Sequence, residues 1–570
     1  MMMLPKSNKV LSEIHTNGLF MNKNFSNLTE ILENSYIHYT NHIALAIVDG
    51  MQLTYAQLFN QSQTVSYWLS RQAIRREEKV AILSENSPNW VVAYWGIIGL
   101  GAIAVPLLPD FSKQEIETIL HHSDSRLLFI SRRLFKRHEN HLDFDGPIII
   151  LDEWNDEKGE SIFDYAQKTH FESFTPECPN VPEDIAEIIY TSGTTGHPKG
   201  VMLTHGALIF ETEKVMMVQD VNDTDRFLSF LPLSHVYENV LGMIIPIRQG
   251  ASITYMQKPP TPTLLLSAMK SVRPTMVLTV PLIIEKIYNT KIVPGLTKNK
   301  ILKGMIHIWP VRHILNNIAG KKLKAEFGGS LRFFGIGGAS LNPRTERFLR
   351  DARFPYSCGF GLTETSSLIF GTKPGKTKFQ SVGKPLDTLI YRIIRPEANT
   401  RVGEVIVKWG GNMKGYYKEP DMTASVLTDG KWFHTGDLAE MINGNLYLKG
   451  RSKTMILGPS GENIYPEEIE SVLNRMEGVI ESLVVEVKGK IVAKVYLNTE
   501  ELSRKYTFFK DAASYHSAEV HHKISHYLSE LQSKLNENLN KFSQVSKVEL
   551  VTRPFEKTAT HKIKRIQNSK

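Results

Sequence analysis

Residues 190–200 read Tyr190, Thr191, Ser192, Gly193, Thr194, Thr195, Gly196, His197, Pro198, Lys199 and Gly200. Hydroxyls, glycines and one ammonium crowded together suit an oligophosphate. Glycines let the backbone approach a bulky anion, and successive N–H groups form a concave donor nest. Lys199 adds a point charge. Spacing excludes two familiar phosphate loops. A Walker A loop carries Gly directly before its Lys and Ser or Thr directly after. Here His197 and Pro198 intervene, and Gly200 follows. No third glycine completes a G-x-G-x-x-G fingerprint.

A second chemical segment holds Phe360, Gly361, Leu362, Thr363 and Glu364. Glu364 is a hard oxygen ligand suited to Mg²⁺ beside a polyphosphate. Thr363 can donate to a phosphate, and Phe360 offers a ring for stacking. A third segment, 429–437, ends in Asp437, read as a turn-borne carboxylate that can accept from ribose hydroxyls. Arg451 follows fourteen residues later. Gly337, Gly338 and Ala339 form a small-residue turn against which a flat base or an acyl carbonyl could lie. Residues 231–238 read as a turn entering a helix, with Ser234 as N-cap and His235 and Val236 behind it.

Together these segments resemble the adenylate-forming (AMP-binding) superfamily, closest to bacterial long-chain fatty acid–CoA ligases. The resemblance covers nearly the whole chain after about residue 30. It implies ATP and CoA as substrates, Mg²⁺ as cofactor, and acyl-AMP with pyrophosphate before thioester formation. It implies ATP or AMP contacts at Thr191, Ser192, Gly193, Thr194, Thr195, Gly196, Lys199, Gly337, Gly338, Ala339, Phe360, Gly361, Leu362, Asp437 and Arg451. Glu364 would hold the metal and act in catalysis with Thr363 and Lys562, the lysine of a terminal Thr-x-x-Lys-Ile-x-Arg pattern. Acyl contacts fall on His235, Val236 and Gly337, a hinge on Lys453, and CoA contacts on Gly458, Ser460 and Gly461. Phe360 stands where the family usually has Tyr, and His561 where it has Gly. Alternative readings are an acyl-carrier-protein synthetase, an adenylating ligase for another acid, and a catalytically silent acyl or nucleotide binder.

The elements that must position these residues alternate. Residues 78–84 and 126–131 read as strands, and 57–71 and 114–121 as helices, the signature of βαβ units around a mostly parallel sheet. Residues 185–190 read as a strand feeding the phosphate loop, with a helix from about 207 to 218 after it. The uncharged stretch 90–108 is long enough to span a bilayer. However, Ser87 and Pro88 start a helix and Gly99 or Gly101 stops it, so a buried helix–strand pair is expected. Short strands with Gly turns fill 381–448. Beyond Lys453, Pro466 opens a helix, strands follow at 480–487 and 490–497, and a long helix carries Val520 through Leu539 to Phe542.

The expected fold is therefore α/β. A large domain (26–452) of βαβ-type sheets carries a β-subdomain (about 381–450), and a smaller mobile α+β domain (453–570) follows. Residues 1–25 read as poorly ordered. Net charge is +8 from 67 basic and 59 acidic residues, with pI ≈ 9.0. This is no nucleic-acid footprint, which would need clustering, but it suits anionic substrates and peripheral contact with a membrane face. Two distant cysteines, Cys178 and Cys358, make no disulfide framework. With no secretory h-region at the N-terminus, a cytoplasmic setting is expected.

Overall fold

The computed structural model describes residues 24–565 except 139–140, 157–158, 160, 193–197, 257–259, 298–307, 396–399, 429–430, 458–462, 488, 504–517 and 558–562. Two large sheets dominate. One has eight strands, with a parallel centre built from Lys79–Leu83, Ile103–Leu107, Ser125–Ile130 and Ile148–Ile150. The other has nine, its parallel centre running through Ser252–Tyr255, Arg226–Ser229, Met276–Thr279, Phe333–Ile336 and Tyr356–Phe360. Side chains from both sheets share one core with the helices Leu28–Tyr39, Tyr55–Arg71 and Pro88–Leu100. Strands buried on both faces read as continuous Val/Ile/Leu runs, as they do here.

The uncharged stretch divides as its punctuation requires. Ser87 caps the Pro88–Leu100 helix by accepting from Trp90 N, and Gly101 ends it in a left-handed conformation at φ 87°. Ile103–Leu107 follows as a wholly buried strand. No helix among the described residues is long and apolar enough to cross a membrane.

A five-stranded antiparallel sheet gathers Ile390–Ile394, Gly403–Lys408, Leu427–Thr428, Trp432–Ile442 and Asn445–Arg451. The C-terminal region is α+β, with a core of its own. Helices Pro466–Leu473 and Ala518–Asn536 pack with strands Val479–Val487, Lys490–Leu497 and Lys547–Val551.

Four expectations need correction. Residues 198–204, between the phosphate loop and the expected helix, form a strand, so the loop closes a hairpin. It lies between two antiparallel strands, Ile185–Ser192 and Pro198–Thr204, and only then does the His205–Val215 helix begin, capped by Thr204. Asp437 is not on a turn but inside the Trp432–Ile442 strand, where Gly436 at φ 69° bends the backbone just before it. The last long helix stops at Asn536 instead of reaching Phe542. The Asn536 side chain folds back on Val545, accepting from its N–H at 2.8 Å and donating to its carbonyl at 3.0 Å, and Phe542 is left 58% exposed. The fourth concerns a cap: His235, not Ser234, is the N-cap residue of Val236–Asn239, its Nδ1 accepting from Tyr237 N at 3.2 Å.

Candidate functional site

One continuous cleft of ≈ 2730 Å³ receives Thr191, Lys199, His235, Val236, Gly337–Ala339, Phe360–Glu364, Asp437, Arg451 and Lys453. These positions span more than 260 residues of sequence, and ends of strands from three sheets bring them together.

The hairpin supplies the first wall. Thr191 pairs with Lys199, and Tyr190 with Gly200, across the two strands. The next antiparallel neighbour of Pro198–Thr204 is the short strand Gly415–Tyr416. Through it Tyr416 reaches two predicted residues at once. Its hydroxyl donates to Glu364 Oε1 at 2.8 Å, and its ring lies 5.4 Å from Lys199 Nζ. Lys199 is held below the usual ammonium range by burial and by repulsion from Lys453, with Glu364 and Glu419 opposing the shift. Two ammonium groups that destabilise one another beside a carboxylate suit a polyanion.

Glu364 sits in a 3₁₀ turn, Thr363–Thr365, at the end of the Tyr356–Phe360 strand. The Glu364 carbonyl accepts from Met413 N at 2.8 Å, which ties the turn to the loop before Tyr416. Gly361 is required by a close approach: a Cβ there would lie 1.3 Å from Ser367 O. Thr363 and Phe360 are buried. Among the described residues no group of three or more His, Cys, Asp or Glu gathers to hold a metal. A lone carboxylate fits Mg²⁺ all the same, since that ion is bound through one or two carboxylates and otherwise by substrate phosphates and water.

Asp437 and Arg451 face each other on adjacent strands, Arg451 Nε to Asp437 Oδ1 at 3.0 Å. Asp437 is buried, whereas half of the Arg451 side chain is exposed. This pair lies in the last strands before the C-terminal region, and Lys453 follows in a 3₁₀ turn, Ser452–Thr454. Thr454 Oγ1 donates to Glu467 Oε1 at 2.7 Å, joining the turn to the Pro466–Leu473 helix.

On the other side, Tyr237 fills the space beneath the glycines. A Cβ on Gly335 would stand 3.0 Å from the Tyr237 hydroxyl, and one on Gly337 3.1 Å from its ring. Apolar side chains Val215, Val218, Leu231, Val236 and Leu241 line this limb. Glu238 also lines it, 2% exposed, its carboxyl raised to about 8 by burial. Burial likewise raises the Cys358 thiol, so this cysteine is a packing residue rather than a nucleophile.

Gly193 to Gly196, Gly458, Ser460, Gly461 and Lys562 lie outside the described residues, as does the Ser192 side chain. The neighbours of Lys562 do reach the cleft, which Ile563, Lys564 and Arg565 line. Arg565 is pinned by Glu470 at 2.7 Å. Sequence reasoning missed Tyr416 and Glu238. The strand pairing that aims Tyr416 has no local signal, and Glu238 stands two positions beyond Val236.

The hairpin, the glycine-lined strand ends and the carboxylate turn meet in this cleft, and the chain belongs to the AMP-binding enzyme family, whose model matches residues 33–417. Its fold is that of adenylate-forming enzymes. The chain is 28% identical to long chain acyl-CoA synthetase 1 of Arabidopsis thaliana, over 89% of this chain and 83% of that protein. It is 27% identical to a chloroplastic long-chain-fatty-acid–[acyl-carrier-protein] ligase of the same plant, over 80% and 73%. Among solved structures it resembles O-succinylbenzoate coenzyme A synthetase of Bacillus subtilis in complex with ATP and magnesium ion. There the TM-score is 0.74 at 25% identity, covering 95% of this chain and 99% of that one.

Proposed function

We propose that the protein is an AMP-forming ligase that joins a long-chain fatty acid to CoA. The observation that carries this reading is the meeting, in one cleft, of the Lys199–Tyr416–Glu364 group with an apolar limb beside Tyr237. The first suits a triphosphate and the second an acyl chain. Similarity to long-chain acyl-CoA synthetases supports the choice of acid.

In this reading the hairpin hydroxyls and Lys199 bind the phosphates, Phe360 and the Gly337–Ala339 turn hold the base, and Asp437 accepts from the ribose with Arg451 steadying it. Glu364 would hold Mg²⁺, which would supply positive charge beside the triphosphate. The fatty carboxylate attacks the α-phosphate, and Thr363 donates to the phosphate oxygen where charge grows. Lys562 bridges carboxylate and phosphate in one orientation of the C-terminal region. Positioned donors of this kind, rather than a protein nucleophile, lower the barrier. CoA then enters past Gly458, Ser460 and Gly461 and its thiol displaces AMP. We place the division between large and small domains at Lys453, the pivot between the two half-reactions. A cytoplasmic setting, with peripheral contact at a membrane face, fits a lipid substrate.

The test is acid-dependent ATP–pyrophosphate exchange across a panel of acids, repeated with CoA. Palmitate-like acids should exceed acetate and aryl acids, with AMP as product. ADP would end the adenylate reading, and a preference for short or aryl acids would end the long-chain one.

A further inference from the structure

Glu211 is a buried acid beside the site that the reaction above does not use. It lies on the His205–Val215 helix, is 0% exposed, and is paired with no cation among the described residues. Its two oxygens instead accept N–H groups from far along the chain. Leu368 N donates to Oε1 at 2.6 Å, and Trp409 Nε1 donates to Oε2 at 2.9 Å. Burial raises the carboxyl well above the ordinary range, and both bonds oppose that shift. Burying a carboxyl costs stability unless its oxygens are bonded, so the two N–H contacts define what this side chain does.

Both contacts flank Glu364. Leu368 follows the Thr363–Thr365 turn by way of Ser366 and Ser367, whose φ angles are 58° and 127°. Positive φ is uncommon for a residue with a Cβ, and the second value lies where glycine is the ordinary occupant. Such strain persists only where the surrounding structure over-determines it. Here Glu211 fixes Leu368 N, and Ser366 Oγ donates to Gly411 O at 2.7 Å. Trp409 opens the loop that ends at Met413, whose N–H donates to the Glu364 carbonyl at 2.8 Å. The helix bearing Glu211 begins directly after Thr204, the last residue of the strand that carries Lys199. Glu211 thus ties together the strand with the ammonium, the exit of the carboxylate turn and the loop that supports that turn.

We propose that Glu211 is a positioning residue for the metal and nucleotide: it holds the strained Ser366–Ser367 backbone and so fixes the Glu364 carboxylate relative to Lys199. The proposal rests on the adenylate reading above. Glu211 lies behind the cleft, which Thr363, Glu364 and Leu368 line. Without its carboxyl, Leu368 N and the Trp409 indole N–H lose their acceptor inside the core, and a buried donor left unsatisfied is costly. Ser367 then relaxes toward negative φ, and Glu364, three residues before it, moves with the turn. A misplacement of about 1 Å caused by a remote mutation can cost about 10²-fold in rate.

The experiment uses Glu211→Leu and Trp409→Phe, each alone and combined with Ser367→Gly. Glycine adopts a positive φ without a Cβ penalty, so a brace that serves this backbone becomes dispensable once residue 367 is glycine. Two quantities are read. One is the Mg²⁺ concentration for half-maximal pyrophosphate exchange. The other is Mn²⁺ affinity, from electron paramagnetic resonance with a nonhydrolysable ATP analogue bound. Glu211→Leu should raise the Mg²⁺ requirement and the Mn²⁺ Kd roughly tenfold, and Trp409→Phe, which removes one bond of the two, roughly threefold. In the Ser367→Gly background both losses should shrink to about twofold or less. Glu211→Gln, whose carbonyl still accepts from Leu368 N, should stay within about threefold of wild type. If Glu211→Leu does not fold, Trp409→Phe carries the same comparison. Wild-type Mn²⁺ affinity in folded Glu211→Leu or in Trp409→Phe would overturn the proposal. So would losses undiminished beside Ser367→Gly, which is what a general loss of stability produces. Absence of Mg²⁺-dependent pyrophosphate exchange by the wild type with every acid would instead overturn the adenylate reading beneath it.

Discussion

Tyr416 is the residue whose removal tests the site geometry most directly. Tyr416→Phe deletes one hydroxyl, which donates to Glu364 Oε1 at 2.8 Å, and keeps the ring beside Lys199. A hydrogen bond to a charged carboxylate contributes about 1.5–3 kcal/mol. Glu364 is half-buried, so water replaces part of the lost bond and the lower end applies. About 1.5 kcal/mol corresponds to a roughly tenfold loss of rate. Tyr416→Ala also removes the ring and should cost roughly a further twofold to fivefold, since a cation–π contact of this kind is worth about 0.5–1 kcal/mol. The assay is pyrophosphate exchange as a function of Mg²⁺ concentration. Tyr416→Phe should raise the Mg²⁺ requirement, because a mispositioned Glu364 is a poorer ligand, and in Glu364→Gln the same substitution should do little more. The reasoning is refuted if Tyr416→Phe matches wild type at limiting Mg²⁺, or if its effect is undiminished in the Glu364→Gln background.

Three other outcomes are expected. Gly361→Ala forces a Cβ to within 1.3 Å of Ser367 O; overpacking of this kind costs on the order of 3 kcal/mol, so the melting temperature should drop along with pyrophosphate exchange. Glu238, whose folded value of about 8 stands above the ordinary 4.5, adds stability fully below about pH 4.5 and loses it as pH climbs through 8. Glu238→Gln should therefore flatten the fall in unfolding free energy between pH 5 and pH 9, read from denaturant titrations, by on the order of a few kcal/mol; an unchanged slope would count against a neutral buried carboxyl. Lys562→Ala should lower acyl-AMP formation by roughly 10²–10³ yet still convert supplied acyl-AMP and CoA to thioester, whereas Lys564→Ala should do much less; matching behaviour of the two variants in both half-reactions would reduce the segment to a basic tail.

Much of the architecture was legible because its signals are local. Ser87, Pro88 and Gly101 bound a helix by capping chemistry alone, and the apolar runs at 80–83, 103–107 and 127–130 bury on both faces. The order of residues 190–200 and 357–365 pointed to phosphate and metal chemistry without coordinates, because glycine spacing and hydroxyl density constrain what a backbone can cradle. Other features depend on pairing partners far away in sequence. Whether the phosphate loop closes a hairpin, whether Asp437 lies in a turn or a strand, and where the last helix stops were decided by strand register and by Asn536 folding back on Val545. Tyr416 carries no motif of its own, and its role arises because Gly415–Tyr416 becomes the edge strand beside Pro198–Thr204. Local chemistry is written in neighbouring residues, while the meeting of distant charges is settled by packing.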